Sequence, residues 1–477
     1  MESETSATLT SAKNKPFTAW TFLLLATLAA WFPICRPYLR MADDFHFAGW
    51  LLTGGPMVYF HEDGIWRMLG HELANGATLI NPVLQGVLAL CTHCVATLLL
   101  FVALRRLLVS EFLPLVLALV FAVFPWGGTA LLWASGYTYV LGTALFLAAI
   151  CVLLRAFPLK NSVAVALCIA CSALSLFAHE ALFFALLISG GFVLLREDAS
   201  NGKGRLALAA APVAGCFIWW SLYKVFPGRM PTEHIKLNPR TLLSGVYYQY
   251  TNLWIFEPWK SQSTRSLLFF DWSWWQFGIG IVLVCAVAFA IRKAITPSRH
   301  EPRPGNTDNR MLVFLLLLVV ATVAIYAIGG GFSLDSRKKY PIVPVALMFA
   351  GYCIDRFSKK GHPHPHLRTI ILPTLVLVGI ATTWLQIGLW RYEAVRLDRL
   401  VNFLSTQPDP ALVQVQWDSR IQAAWPHADQ YWGALPEGWV LADAVRLKHL
   451  LAPATEPAQQ ARGLKFDPIQ FTWVPIR

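Results

Sequence analysis

Carboxylates are scarce in this chain: 27 of its 477 residues are Asp or Glu, and charged residues of both signs reach only 14%. Soluble domains carry about a quarter charged residues, so an ordinary soluble fold is excluded for most of the length. The apolar stretches are continuous rather than alternating, which excludes a transmembrane β-barrel. No G-x-G-x-x-G follows a strand-like run and no P-loop occurs, so nothing marks a nucleotide-binding fold. No A-x-A site closes the first apolar run, which therefore reads as an uncleaved span rather than a signal peptide. Internal repeats, frequent in transporters, are absent too. The nine cysteines lie almost entirely within or beside apolar runs. The pairs Cys91/Cys94 and Cys168/Cys171 suit small-residue contacts between membrane helices better than a metal or redox site.

What is abundant is apolar sequence: 56% of residues are hydrophobic and the mean hydropathy is +0.51. Candidate spans cover 17–34, 79–104, 112–128, 136–154, 161–178, 181–195, 206–224, 273–291, 311–328, 341–355 and 369–389, about eleven in all, most of them long enough for the roughly 30 Å of hydrocarbon in a bilayer. The expected fold is an all-α polytopic membrane protein with a small α/β soluble domain at its C-terminal end. The net charge of +12 does not require nucleic acid, because the basic residues fall in alternate loops, as the positive-inside rule places them. On that reading the N-terminal tail, 1–16, is cytoplasmic. The loops 36–78, 225–272 and 329–340, with the segment 391–477, then lie on the outer face. That last segment carries a strand-like "VQVQW" at 413–417 and a helix-like "LADAVRLKHLL" at 441–451, and its size of about 80 residues is near the lower limit for independent folding. The histidines of "GHPHPHLR" at 361–368 are separated by prolines that favour an extended connector over a metal site.

Against this background a few polar residues stand out. Asp43 and Asp44 follow the first span inside "YLRMADDFHFAGW". They could cap a helix starting near Phe45. Their apolar, aromatic flanks instead place them at membrane depth, where carboxylates need partners, and there one could take a proton while the other orients a substrate or cation. In "GGGFSLDSRKKYPIVP", Arg337, Lys338 and Lys339 are either a solvated turn or a phosphate site, with an arginine fork and lysine point charges. His179 and Glu180 interrupt the apolar "SLFAHEALFF", as a tight interfacial turn or as a buried pair. Arg67 sits among acids in "HEDGIWRMLGHE" and can pair with Glu62 or Asp63, or reach Asp43. The aromatics of "FEPWKSQSTRSLLFFDWSWW" at 256–275 fit an interfacial belt or a sugar-stacking surface.

These stretches together resemble the GT-C glycosyltransferases, polytopic enzymes that use polyprenyl-phosphate-linked sugars. The acidic pair comes directly after the first span. "LLWASGYTYVLGTALFLAAI" at 131–150 is similar to a W-x-S-G stretch leading into a span. "ALSLFAHEALFFALLI" at 173–188 is similar to a K-E-containing element, with His179 where lysine is usual, and "SRKKYPIVP" at 336–344 is similar to an R-x-x-Y element opening a late span. The resemblance covers roughly residues 17–390 and implies a multi-pass plasma- or inner-membrane transferase whose catalytic loops face the periplasmic or extracytoplasmic side. It implies Asp43 or Asp44 as catalytic base, or as ligand of a divalent cation (Mg or Mn) as in some members. It implies Arg337, Lys338, Lys339 and Tyr340 as donor-phosphate residues, with His46, Arg67, His179 and Glu180 in support. The implied partners are a polyprenyl-phosphate sugar donor, a glycan, lipid or protein acceptor, and membrane lipid, with no nucleic acid. The rivals are a lipid-linked glycan polymerase or ligase, and a transporter or flippase of a lipid-linked or anionic substrate.

Overall fold

A computed structural model describes residues 15–37, 40, 43–54, 67–195, 202–226, 266–294, 309–328, 336–357, 365–407, 414–416, 444–448, 463–467 and 472–475. Most of this is helix. In chain order the N-terminal half holds α1 (Lys15–Trp31), α2 (Asp43–Gly54), α3 (Met68–Ile80), α4 (Leu84–Leu107), α5 (Leu113–Val123), α6 (Gly128–Leu132), α7 (Tyr137–Leu153) and α8 (Asn161–Ala178). A 3₁₀ turn, Glu180–Leu182, leads into α9 (Phe183–Ser189) and α10 (Gly191–Leu194). Then come α11 (Gly202–Val225), α12 (Trp274–Ala294), α13 (Asn309–Ile328), α14 (Ser336–Phe357) and α15 (Pro365–Leu404).

Among the described residues four helical segments are long and apolar enough to cross a membrane: Leu84–Leu107, Asn161–Ala178, Gly202–Val225 and Ile370–Leu404. Shorter apolar helices cover Ala19–Ile34, Leu113–Val123, Tyr137–Leu153, Glu180–Leu194, Trp274–Ala290 and Asn309–Ala324. Large apolar side chains also face outward, among them Leu206, Phe217, Ile281, Val282 and Phe289. In water such a surface would aggregate; in hydrocarbon it is solvated. The chain is a helical membrane protein.

Inside the bundle, α7 packs between α4 and α8, α8 against α11, α1 against α5 and α12, and α13 against α14. Two buried hydroxyls bond back to their own helices, Thr27 donating to Leu23 O at 2.7 Å and Thr143 to Tyr139 O at 2.7 Å, which satisfies them in an apolar interior. Helix ends are closed by side chains from other elements. Asp355 near the end of α14 accepts from Val109 N (2.6 Å) and Ser110 N (3.0 Å), fixing the α4–α5 connection. Gly86 in α4 lies against the end of the first span. A Cβ there would come within 2.1 Å of Ile34 O and 2.8 Å of Ile34 C. Gly86→Ala is therefore expected to lower stability by about 1–3 kcal/mol through backbone overpacking, read as a drop in the unfolding midpoint of the purified protein in detergent. An unchanged midpoint would show that this contact opens freely.

The last helix departs from expectation. The span expected at 369–389 lies in α15, which continues unbroken through Arg391 to Leu404, 40 residues in all. No glycine or proline interrupts 391–404, and Ala394, Leu397, Val401 and Leu404 form a buried stripe at helical spacing. The boundary expected at 390/391 thus falls inside a helix. Beyond it, β1 (Gln414–Gln416) pairs parallel with β2 (Gly463–Asp467), which pairs antiparallel with β3 (Thr472–Pro475). Residues 444–448 are helical, and α15 packs on β3.

Candidate functional site

Asp43 and Asp44 are the first two residues of α2. Asp44 turns inward and is fully buried. Its Oδ1 accepts the backbone N–H of Ser135 at 2.9 Å and the Ser135 hydroxyl at 2.5 Å. Ser135 belongs to the tight connection between α6 and α7, so one carboxylate ties the first loop to the Trp133–Gly136 turn. Asp43 occupies the first position of α2, but its side chain and that of His46 lie outside the described residues, as do Glu62 and Asp63.

Arg67 takes the left-handed conformation, φ 52°, at the start of α3. That turn directs its guanidinium onto Glu180. Nε donates to Oε2 at 2.9 Å, and Nη2 donates to Oε1 to complete the fork. A bidentate pair of this kind is the strongest side-chain contact available to a carboxylate. The two readings of His179–Glu180 merge here, since the residues form a tight turn and are also buried and paired. His179 caps the 3₁₀ turn, its Nδ1 accepting Ala181 N–H at 3.0 Å, and its ring lies 3.8 Å from that of Tyr139. One turn after Arg67, His71 stacks on Phe47 of α2 at 4.3 Å.

Arg337 opens α14 with its guanidinium over the Trp133 ring, 4.3 Å from the centroid. Trp390 of α15 backs the same tryptophan at 6.5 Å. Lys338 and Lys339 follow, half-buried. Tyr340 does not belong with them. It is 2% exposed and its hydroxyl is engaged by His93 of α4 at 2.7 Å, so the expectation that it binds donor phosphate is corrected to a packing role. The reason is packing, since Tyr340, the fifth residue of α14, is buried in the bundle.

The electrostatics couple these parts. Burial alone would raise the Glu180 carboxyl, but Arg67 and then His179 outweigh it and bring it down to about 2. For Arg67, burial works against the charge and Glu180 restores it, with a net upward shift. Burial first, then Arg67 and Arg337, push His71 from 6.5 to about 3. His179 is pushed well down by burial first and then by Arg67, with Arg337 contributing as well. Arg337 thus acts on Arg67, His71 and His179, which places the α14 cations in the same electrostatic neighbourhood as the Arg67–Glu180 pair. The site carries several fixed cations around two engaged carboxylates, an arrangement suited to a phosphate-bearing ligand.

His71 makes a pH prediction. Its folded-state value is depressed, so below the ordinary 6.5 the unfolded chain binds a proton that the folded chain refuses. Stability from this group is complete above that value and is lost as pH falls towards about 3. Between pH 7 and pH 5 the loss is about 2 kcal/mol. Glu180 adds nothing in that window, because its contribution fades only between the ordinary 4.5 and about 2. His71→Gln is expected to shrink the pH 7-to-5 drop in unfolding free energy by about 2 kcal/mol; an identical drop in both proteins would rule out a neutral buried His71.

For a cation, the donor set decides. Asp44 Oδ1 is already occupied by two donors from Ser135. Among the described residues no group of three or more His, Cys, Asp or Glu side chains stands together as metal ligands. Among the described residues Asp44 belongs to no such group, and no step below runs through a divalent ion. Trp133 and Ser135 are the W and S of the W-x-S-G stretch, Tyr139 and His71 lie inside quoted stretches without a signal of their own, and His93, in "CTHCVA", carries none at all. No protein-family model matches the chain, and none of the curated proteins matches it.

Proposed function

We propose that the protein is an integral-membrane glycosyltransferase of GT-C type, moving a hexosyl or pentosyl unit from a polyprenyl-phosphate donor to a hydroxyl acceptor on the outer face of the membrane. One observation carries this reading. Four stretches far apart in sequence meet through Asp44–Ser135, Trp133–Arg337 and Tyr139–His179, and Arg67 joins them at Glu180. They are the four stretches on which the resemblance rests.

Transfer breaks the bond between the sugar's anomeric carbon and the phosphate oxygen. Negative charge grows on the leaving lipid phosphate, and Arg337 with Lys338 and Lys339 stabilises it at a fixed position. The acceptor hydroxyl forms the new bond and loses its proton to Asp43, the kind of group that can serve as a general base. Asp44 is the brace that holds α2, and with it Asp43, against the Ser135 turn. Arg67 and Glu180 lock the first outer loop onto the α8–α9 turn. The finer architecture belongs to the same proposal. It comprises about eleven spans, a cytoplasmic N-terminus, outer loops at 36–78, 225–272 and 329–340, and an α/β domain that follows α15 on the outer side.

The test is purified protein in lipid, offered a panel of radiolabelled polyprenyl-phosphate sugars with glycan, lipid and peptide acceptors. Transfer from at least one donor with release of the lipid phosphate is the expected result. A folded protein that consumes none of them, or that instead joins preassembled lipid-linked glycans end to end, overturns the reading.

A further inference from the structure

α14 begins with an intrinsic weakness. Pro341 and Pro344 lie inside it, and neither has an N–H to donate. The carbonyls four residues earlier, those of Arg337 and Tyr340, therefore lack the usual intrahelical partner. The turn that presents Arg337, Lys338 and Lys339 needs an anchor from outside the helix.

That anchor is Tyr340, three residues after Arg337 and so on nearly the same face. Its hydroxyl meets His93 Nδ1 at 2.7 Å, and His93 Nε2 meets Ala122 O at 3.2 Å. A carbonyl only accepts, so Nε2 carries the hydrogen of the uncharged ring and Nδ1 accepts the tyrosine O–H. Ala122 lies in the last turn of α5, where carbonyls have no helical partner. It also accepts Trp31 Nε1–H at 2.9 Å. The Phe121 ring stands 5.1 Å from His93 and 5.4 Å from Tyr340. Gly127 clears the remaining side, since a Cβ there would come within 2.5 Å of Tyr340 Cβ and 2.8 Å of its Cα.

We propose that His93 is a positioning residue for the donor phosphate, acting through Tyr340 to hold the first turn of α14 at the rotation that sets Arg337 over Trp133. The proposal rests on the phosphate-binding role given above to Arg337, Lys338 and Lys339. His93 itself touches no substrate.

The experiment compares full-length wild type, His93→Phe, Tyr340→Phe, the double variant and His93→Gln by two readouts. The first is amide hydrogen exchange of the peptide covering 336–345, which does not depend on activity. The second is donor KM against kcat, using whichever polyprenyl-phosphate sugar the wild type transfers. Each phenylalanine variant is expected to speed exchange in that peptide and to raise donor KM roughly five- to tenfold, about one buried hydrogen bond, with kcat changed less than twofold. The double variant should be no worse than either single, because both break one bond. His93→Gln keeps an acceptor and a donor and should restore most of the loss. Faster exchange with an unchanged KM overturns the link to the phosphate site, and additive effects overturn the route through Tyr340. A wild type that transfers no sugar defeats the functional reading instead. Exchange then decides the anchor alone, with faster exchange supporting it and unchanged exchange overturning it.

Discussion

Asp43→Asn is expected to lower sugar transfer by roughly 10²- to 10⁴-fold, the range typical of a lost general base, with donor KM nearly unchanged. Asparagine keeps the size and the helix-starting preference of aspartate, so the loss reports proton transfer rather than folding. Asp44→Asn should behave differently. Asp44 is buried and uses Oδ1 on the N–H and hydroxyl of Ser135, and an amide oxygen can still accept both. What goes is the charge assistance, so a modest fall in stability with a much smaller fall in kcat is expected. Initial rates at saturating donor for both variants, with unfolding midpoints alongside, separate the two roles. If Asp44→Asn abolished transfer at wild-type stability while Asp43→Asn retained it, the base would be Asp44. If both kept full activity, the acid pair would have no catalytic part.

Arg67→Ala carries the largest stability effect. Glu180 is held by a two-pronged arginine contact, with side-chain exposures of 23% for Arg67 and 12% for Glu180. Removing the arginine strands a carboxylate that burial already disfavours, and losing one partner of such a pair costs about 3–5 kcal/mol. Replacing both residues, Arg67→Met with Glu180→Leu, removes the stranded charge and should cost less than either single change. A coupling energy above about 3 kcal/mol is expected in the double-mutant cycle, because a double change that costs less than either single leaves more than the larger single loss as coupling. Chemical unfolding of the four proteins at pH 7 gives that number, and additive losses would mean the pair holds nothing together. In the wild type the Glu180 contribution is present above its ordinary 4.5 and disappears only as pH falls towards about 2. The Arg67→Ala penalty should therefore shrink in acid.

Much of the helical framework was legible in the apolar runs. The span expected at 161–178 coincides with α8, and those at 136–154 and 311–328 lie within a few residues of α7 and α13. Hydrocarbon length and backbone hydrogen bonding leave a long apolar run little choice but helix. The end of the membrane region was less legible. Residues 391–404 mix charge with a buried stripe, so composition changes at Arg391 while the helix does not. The rest of the site was legible as residue types and not as partners. Arg67 has acids four and five positions away, yet it pairs with Glu180, 113 residues distant, because a left-handed turn at its own position aims it there. Tyr340 looked like a companion of Arg337 by adjacency, yet 247 residues separate it from the His93 that holds it.

Local chemistry therefore determined that the chain is helical and apolar enough to enter a membrane, and which few polar residues stand out against that background: Asp43, Asp44, Arg67, Glu180 and Arg337. Which of them meet was decided by helix packing. Buried polar groups must find partners, but the partner is selected by the rotation and depth of helices far apart in the chain. For Asp44 that selection yielded Ser135 and made it a brace, and for Tyr340 it yielded His93 and removed it from the phosphate site.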